Sequence, residues 1–138
     1  PSEISNKFGP IRPKTVTIKS SEYINKFNIM LTSGRQLIQE LSGGNQQKCI
    51  ISKWLLSKPN ILILDEPTRG VDVGVKSEMY EIINQLANMG TAIILISSEL
   101  PEILSLSHRI IVMREGQITK ILDNKDASQE TIMKFAIS

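Results

Sequence analysis

The 138 residues suffice for one modest core, and 16 basic against 14 acidic side chains leave a formal charge of +2, so one domain or part of one is expected. So small a charge, with only 4% aromatic residues and no block of about five or six like charges, speaks against a nucleic-acid partner. A lone cysteine, Cys49, rules out an internal disulfide, and no apolar run is long enough to span a bilayer, which makes a reducing, cytoplasmic setting the simplest expectation.

The chain opens on Pro1 without an initiator methionine, and Pro10 and Pro13 flank a short segment that regular helix cannot fill. The expectation is a piece of something longer. Between Lys19 and Leu31, Tyr23, Ile24 and Phe27 have helical spacing, whereas Ile29 and Leu31 alternate as in a strand before Thr32-Ser33-Gly34. Both readings stay open here.

Leu41-Ser42-Gly43-Gly44-Asn45-Gln46-Gln47-Lys48 then places a hydroxyl and two glycines ahead of a helical pattern. Ile50, Ile51, Trp54 and Leu55 fall at i, i+1, i+4 and i+5, one face of a helix from Gly44 to Ser57 that Lys58-Pro59-Asn60 terminates. Backbone N–H groups at its start and Ser42 Oγ can face one anion, for which phosphate is the natural ligand. Taken alone, Ser-Gly-Gly before a helix is equally an ordinary loop.

The segment that follows gives it weight. Ile61-Leu62-Ile63-Leu64 reads as a buried strand that delivers Asp65 and Glu66 to the carboxyl edge of a sheet, where ligands bind. A hard cation wants one or two carboxylates and then phosphate oxygens, so Asp65 is the candidate Mg²⁺ ligand. Glu66, one residue on, is the candidate base for the water that attacks a phosphate. Pro67 has no N–H for the ladder and ends the pairing.

After Thr68-Arg69-Gly70, Asp72 is a candidate N-cap for a helix on which Val75, Met79, Ile82, Ile83 and Leu86 form one stripe, ending near Gly90. Ala92 to Ile96 is a second continuous apolar run, and strands alternating with helices indicate a parallel sheet. Pro101 suits an early helical position with Ser98 as candidate cap. His108 reads as a loop residue, without a second histidine or cysteine near it for a metal site, and Cys49 as a packed side chain without a neighbour to activate it. Arg109–Met113, a turn at Glu115-Gly116 and Ile118–Leu122 signal a hairpin, and Ser128 caps a last helix that uses Ile132, Met133, Phe135 and Ala136.

Leu41–Lys48 together with Ile61-Leu62-Ile63-Leu64-Asp65-Glu66-Pro67 and Arg69-Gly70-Val71-Asp72-Val73-Gly74 resembles the signature motif, Walker B strand and D-loop of the ATP-binding cassette (ABC) ATPases. Asn45, where most of that superfamily carries Gln, together with Ile96–Glu102 and Arg109–Gly116, resembles the second cassette of the duplicated ATPase subunits of monosaccharide importers. The resemblance runs from about Ile24 to the C-terminus. It implies an α/β chain with part of a P-loop NTPase fold: a mostly parallel sheet flanked by helices, a remnant of the helical subdomain, and a C-terminal hairpin and helix. Residues 1–40 would be the end of the helical subdomain plus a poorly patterned N-terminal segment, and 41–138 the signature helix, Walker B, D-loop and C-terminal part of the catalytic core.

The resemblance further implies ATP and Mg²⁺ as cofactors, Ser42, Gly43, Gly44, Asn45 and Gln46 facing ATP held by another cassette, and Asp72 contacting that cassette. Asp65 would take the metal and Glu66 the catalytic role. Ser98 stands where these ATPases usually carry a histidine that touches the γ-phosphate, and a serine hydroxyl cannot become cationic. Implied partners are a second cassette, a membrane permease and, indirectly, a sugar-binding protein, with the chain at the cytoplasmic face of the membrane. The chain has no Gly-x-x-x-x-Gly-Lys-Ser/Thr loop to hold the β- and γ-phosphates, and no Q-loop is found in it. Two rivals share the signature and Walker B strand: a soluble ABC ATPase of DNA repair or chromosome structure, which needs long heptad arms, and a non-catalytic domain that only presents a signature helix. The sequence does not say which sugar would be carried.

Overall fold

The computed structural model describes residues 13–137. Their order is α1 (Pro13–Lys26), α2 (Gly43–Leu55), β1 (Ile61–Asp65), α3 (Val73–Asn88), β2 (Ala92–Ile96), α4 (Leu100–Leu106), β3 (Arg109–Arg114), β4 (Gln117–Asp123) and α5 (Gln129–Ile137), with single 3-10 turns at Ile38–Glu40 and Asn124–Asp126. They divide into two compact units: the chain up to Leu62 with Pro67–Ala92, and Ile63–Glu66 with the chain from Ile93 onward.

In the first unit, helix wins the contest for the segment after Pro13. Pro13 stands at its first position, where the missing N–H would have no partner anyway. The expectation for the segment between Pro10 and Pro13 otherwise lies outside the described residues. Asn28, at φ 47°, turns the chain out of α1, and Phe27 and Ile29 on either side of it are buried. Ile29–Leu31 alternates as a strand does but joins no sheet.

Helix α2 buries Gly44, Lys48, Ile51, Ser52 and Leu55. Ile50 and Trp54, expected on the same face as Ile51 and Leu55, are 44% and 58% exposed. The stripe is turned because its first half is made of a glycine and a lysine, which an apolar count does not register. Helix α3 buries Met79, Ile82, Ile83 and Leu86 as its spacing predicts, and Gly90 at φ 91° ends it, with Thr91 N–H donating to Leu86 O.

In the second unit, Ile110 and Val112 of β3 and Ile132 of α5 form a core packed by Leu100, Ile103, Leu104, Leu122 and Phe135. The hairpin is antiparallel, with Arg114 opposite Gln117 and a bulge between Val112 and Met113. Its turn uses Glu115 and Gly116 at φ 52° and 77°, the double left-handed geometry that matches strand twist. Ser128 caps α5 by accepting from Thr131 N–H at 3.0 Å, while Met133 stays 41% exposed.

Strands β1 and β2 pair with each other. Asn60 O accepts from Ala92 N–H and Ile96 O from Glu66 N–H; both partners advance together, so the pair is parallel. The expectation that Ile61–Leu64 is a buried strand is corrected. Leu62 and Leu64 are buried, but Ile61 and Ile63 are 60% and 61% exposed, and Ile94 and Ile96 about half exposed. A two-stranded ribbon covers one face only, so a continuous apolar run alternates in burial here.

Candidate functional site

The sequence-predicted residues fall into two groups, one in each unit. In the first unit Ser42 is the N-cap of α2: its Oγ accepts from Asn45 N–H at 3.5 Å and from Asn45 Nδ2 at 2.9 Å. Asn45 Oδ1 in turn accepts from Met30 N–H at 2.9 Å. A backbone N–H can only donate, so this contact fixes the amide orientation and leaves the Ser42 hydroxyl hydrogen free to donate outward. Gln46 donates from Nε2 to Leu41 O at 2.8 Å. The amides of Asn45 and Gln46 are thus turned to their own chain and brace the turn that carries Ser42. Ser42 and Asn45 line an open concavity of about 320 Å³ with Thr32, Gln36 and Glu40.

Gly43 is exposed and touches nothing that a Cβ would meet. Gly44 differs: it is buried, and a Cβ built there would overlap both γ-methyls of Val75. Its bareness serves the close approach of α2 to α3. Asp72 caps α3 by accepting from Val75 N–H at 3.0 Å. The starts of α2 and α3, with Ser42 on one and Asp72 on the other, are therefore held side by side within this unit. One turn further on, buried Lys48 pairs with Glu78 and donates to Asn28 O at 3.2 Å. No sequence pattern signals this bond, because a lysine on a helix ordinarily faces water.

In the second unit Asp65 ends β1 with an exposed side chain. Glu66 follows at φ 47°. Its N–H donates to Ile96 O at 2.8 Å, so pairing runs one residue beyond the strand and stops at Pro67. Its carboxylate accepts from Ser98 N–H at 2.9 Å. Ser98 is not the cap of α4, contrary to the sequence expectation: the N-cap is Glu99, whose side chain makes no capping bond, and Pro101 fills an early helical position. Glu102, whose carboxylate is wholly buried on α4, and, in the first unit, Thr68, 1% exposed after Pro67, are polar residues the sequence did not single out.

Three or more His, Cys, Asp or Glu side chains do not gather into a metal cage among the described residues. A cation such as Mg²⁺ takes one or two protein carboxylates and completes its shell with phosphate and water. Asp65, exposed at the carboxyl end of a parallel strand, has the right chemistry. His108 is an exposed loop residue whose carbonyl accepts from Asn124 N–H. Cys49 lines a cavity of about 290 Å³ with Tyr23, Ile24, Ile29 and Leu41, and burial pushes its thiol above the ordinary value.

Among solved structures, the ATP-binding cassette MJ1267 of an ABC transporter superposes with a TM-score of 0.77 at 23% identity, covering 96% of this chain and 54% of that one. The family profile described as ABC transporter matches residues 5–69. The fold is part of an ABC-type ATP-binding cassette, and the chain resembles the ATP-binding proteins of ABC transporters. More particularly, it is 48% identical over 133 residues to the ribose import ATP-binding protein RbsA of Clostridium tetani, covering 96% of this chain and 26% of that protein. It is also 53% identical over 119 residues to the galactose/methyl galactoside import ATP-binding protein MglA of the same organism, covering 86% of this chain and 23% of that protein. The chain spans about a quarter of the length of these curated relatives.

Proposed function

We propose that the chain is the C-terminal part of the second nucleotide-binding domain in an ATPase subunit that energises import of a monosaccharide. Residues 1–40 close its helical subdomain, and 41–138 carry the signature helix, Walker B strand and D-loop. The observation that carries the reading is the pair Asp65 and Glu66 at the carboxyl end of a parallel strand, with Glu66 held in a left-handed turn by β2. The names of the curated relatives support ribose or galactose as the class of sugar.

In this reading Glu66 accepts a proton from a water whose oxygen forms a bond to the γ-phosphorus, while the bond from that phosphorus to the β–γ bridging oxygen breaks and ADP leaves. Asp65 holds Mg²⁺, which when bound neutralises charge on the β- and γ-phosphates. Ser42, capping α2 with its hydroxyl hydrogen free, donates to the γ-phosphate of ATP held by a second cassette, beside the main chain of Gly43 and Gly44. Asn45 and Gln46 keep that turn in place, and Asp72 faces the same second cassette. The further partners are a membrane permease and, through it, a sugar-binding protein, with the subunit at the cytoplasmic face.

The sequence holds no Gly-x-x-x-x-Gly-Lys-Ser/Thr loop, so the chain by itself binds MgATP weakly and does not turn it over. Micromolar affinity by titration calorimetry would contradict that. The transport reading is tested by assembling the full-length protein with its permease in vesicles and measuring ATP-dependent entry of ribose and of galactose. Uptake of one of them with matching ATP consumption is expected. ATP turnover that no sugar-loaded binding protein stimulates, with stimulation by DNA instead, would overturn it.

A further inference from the structure

We infer that Ser98 is a positioning residue for Glu66, and that it acts through its main-chain N–H. This inference rests on Glu66 serving as the base proposed above. Two hydrogen bonds from the end of β2 hold this one residue: Ile96 O accepts from Glu66 N–H at 2.8 Å, and Ser98 N–H donates to Glu66 Oε1 at 2.9 Å. Backbone and side chain are thereby fixed by groups two residues apart on one strand end.

The backbone conformation of Glu66 shows that this hold is needed. A left-handed φ of 47° costs an L-residue about 1–2 kcal/mol, and a following proline ordinarily drives the preceding residue to extended geometry. Glu66 meets both penalties, since Pro67 follows it. Strain of this kind persists only where the surroundings over-determine it. The turn swings the carboxylate back toward β2, where the Ser98 amide meets Oε1. Oε2 has no partner among the described residues, so one oxygen is anchored and the other is left to accept a proton.

The Ser98 hydroxyl has no part in the bond to Glu66. The bond therefore needs an N–H at position 98 and places no demand on the side chain there. A neutral side chain at 98 is consistent with an oriented base, because a peptide dipole next to a carboxylate gives a charge-assisted hydrogen bond without a cationic group.

The first test is spectroscopic and independent of turnover. In ¹H–¹⁵N spectra of the chain, the Ser98 amide should exchange slowly with solvent deuterium, and Glu66→Ala, which removes the acceptor, should speed that exchange at least about tenfold. A Ser98 amide that exchanges at the same rate in Glu66→Ala would overturn the inference. The second test replaces the 97–98 peptide bond of the full-length protein by an ester, which removes only the N–H. We expect kcat for ATP to fall about tenfold, the weight of one hydrogen bond to a charged group, with KM little changed. Ser98→Ala should lower kcat less than the ester does; an equal or larger loss would move the role to the hydroxyl and overturn the inference. If Glu66→Gln left turnover intact while the Ser98 amide was protected as expected, the hydrogen bond would stand and the assignment of the base would fall.

Discussion

Gly44 on α2 lies against Val75 on α3 so closely that a single methyl group at position 44 would overlap both γ-methyls of the valine. The two helix starts, one capped by Ser42 and the other by Asp72, are registered by this contact. Gly44→Ala should therefore destabilise the chain by about 1–3 kcal/mol through overpacking. Adding Val75→Ala should restore part of the loss, because the truncated side chain vacates the space the new methyl needs. Urea unfolding of both single variants and the double variant checks this. Strictly additive costs would mean that residues 44 and 75 do not compete for one volume.

The second contact between these helices is polar. Lys48 is 3% exposed, whereas the Glu78 side chain is half in water. Removing the carboxylate leaves a buried ammonium with the Asn28 carbonyl but no counter-charge, whereas replacing the ammonium by an apolar chain leaves Glu78 free to hydrate. Glu78→Gln should thus cost more stability than Lys48→Met, by about 1 kcal/mol or more. Denaturation midpoints would decide it; the reverse order would show that Lys48 is held by its methylenes alone.

Asp72 performs a capping task that can be separated from any contact it makes with a second cassette. An amide retains the cap, so Asp72→Asn should leave stability nearly unchanged and Asp72→Ala should lose about 1 kcal/mol. If the charge also faces the partner, Asp72→Asn will lower ATP turnover of the full-length protein without a change in melting temperature. Turnover that falls only in step with stability across both variants would confine Asp72 to the cap.

Cys49 offers a prediction in pH. Burial disfavours its thiolate and pushes the thiol upward, so at any pH near neutral a smaller fraction is reactive than in a free thiol. Its alkylation by iodoacetamide should be slow at pH 7 and keep accelerating above the pH at which a small free thiol levels off. A plateau at lower pH than the free thiol would show an activating environment that the structure does not contain.

Much of the fold was legible because the punctuation is local. Ser42, Asp72 and Ser128 cap the helices they precede, Gly90 ends α3, and Glu115-Gly116 turns the hairpin. Each acts within a few residues of its own position. Legibility failed where burial is decided by what lies opposite. Ile61 and Ile63 look identical to Leu62 and Leu64 in composition, yet only the latter pair is covered. Lys48 is buried because Glu78 and the Asn28 carbonyl wait for it, and neither is near in sequence. For the candidate site, the positions of Asp65 and Glu66 were readable from the strand that precedes them. The left-handed turn of Glu66 and its bond to Ser98 were not, since a glutamate before a proline ordinarily predicts the opposite geometry.

The most direct test of the central claim is Glu66→Gln in the full-length protein, reading ATP occupancy and ATP turnover separately. The amide keeps the shape and loses the base, so occupancy at this site should persist while its turnover falls at least about a hundredfold, roughly 3 kcal/mol in the barrier. Unchanged turnover at that site, with occupancy intact, would contradict the account, because Glu66 would then be a structural carboxylate and the hydrolytic role would lie elsewhere.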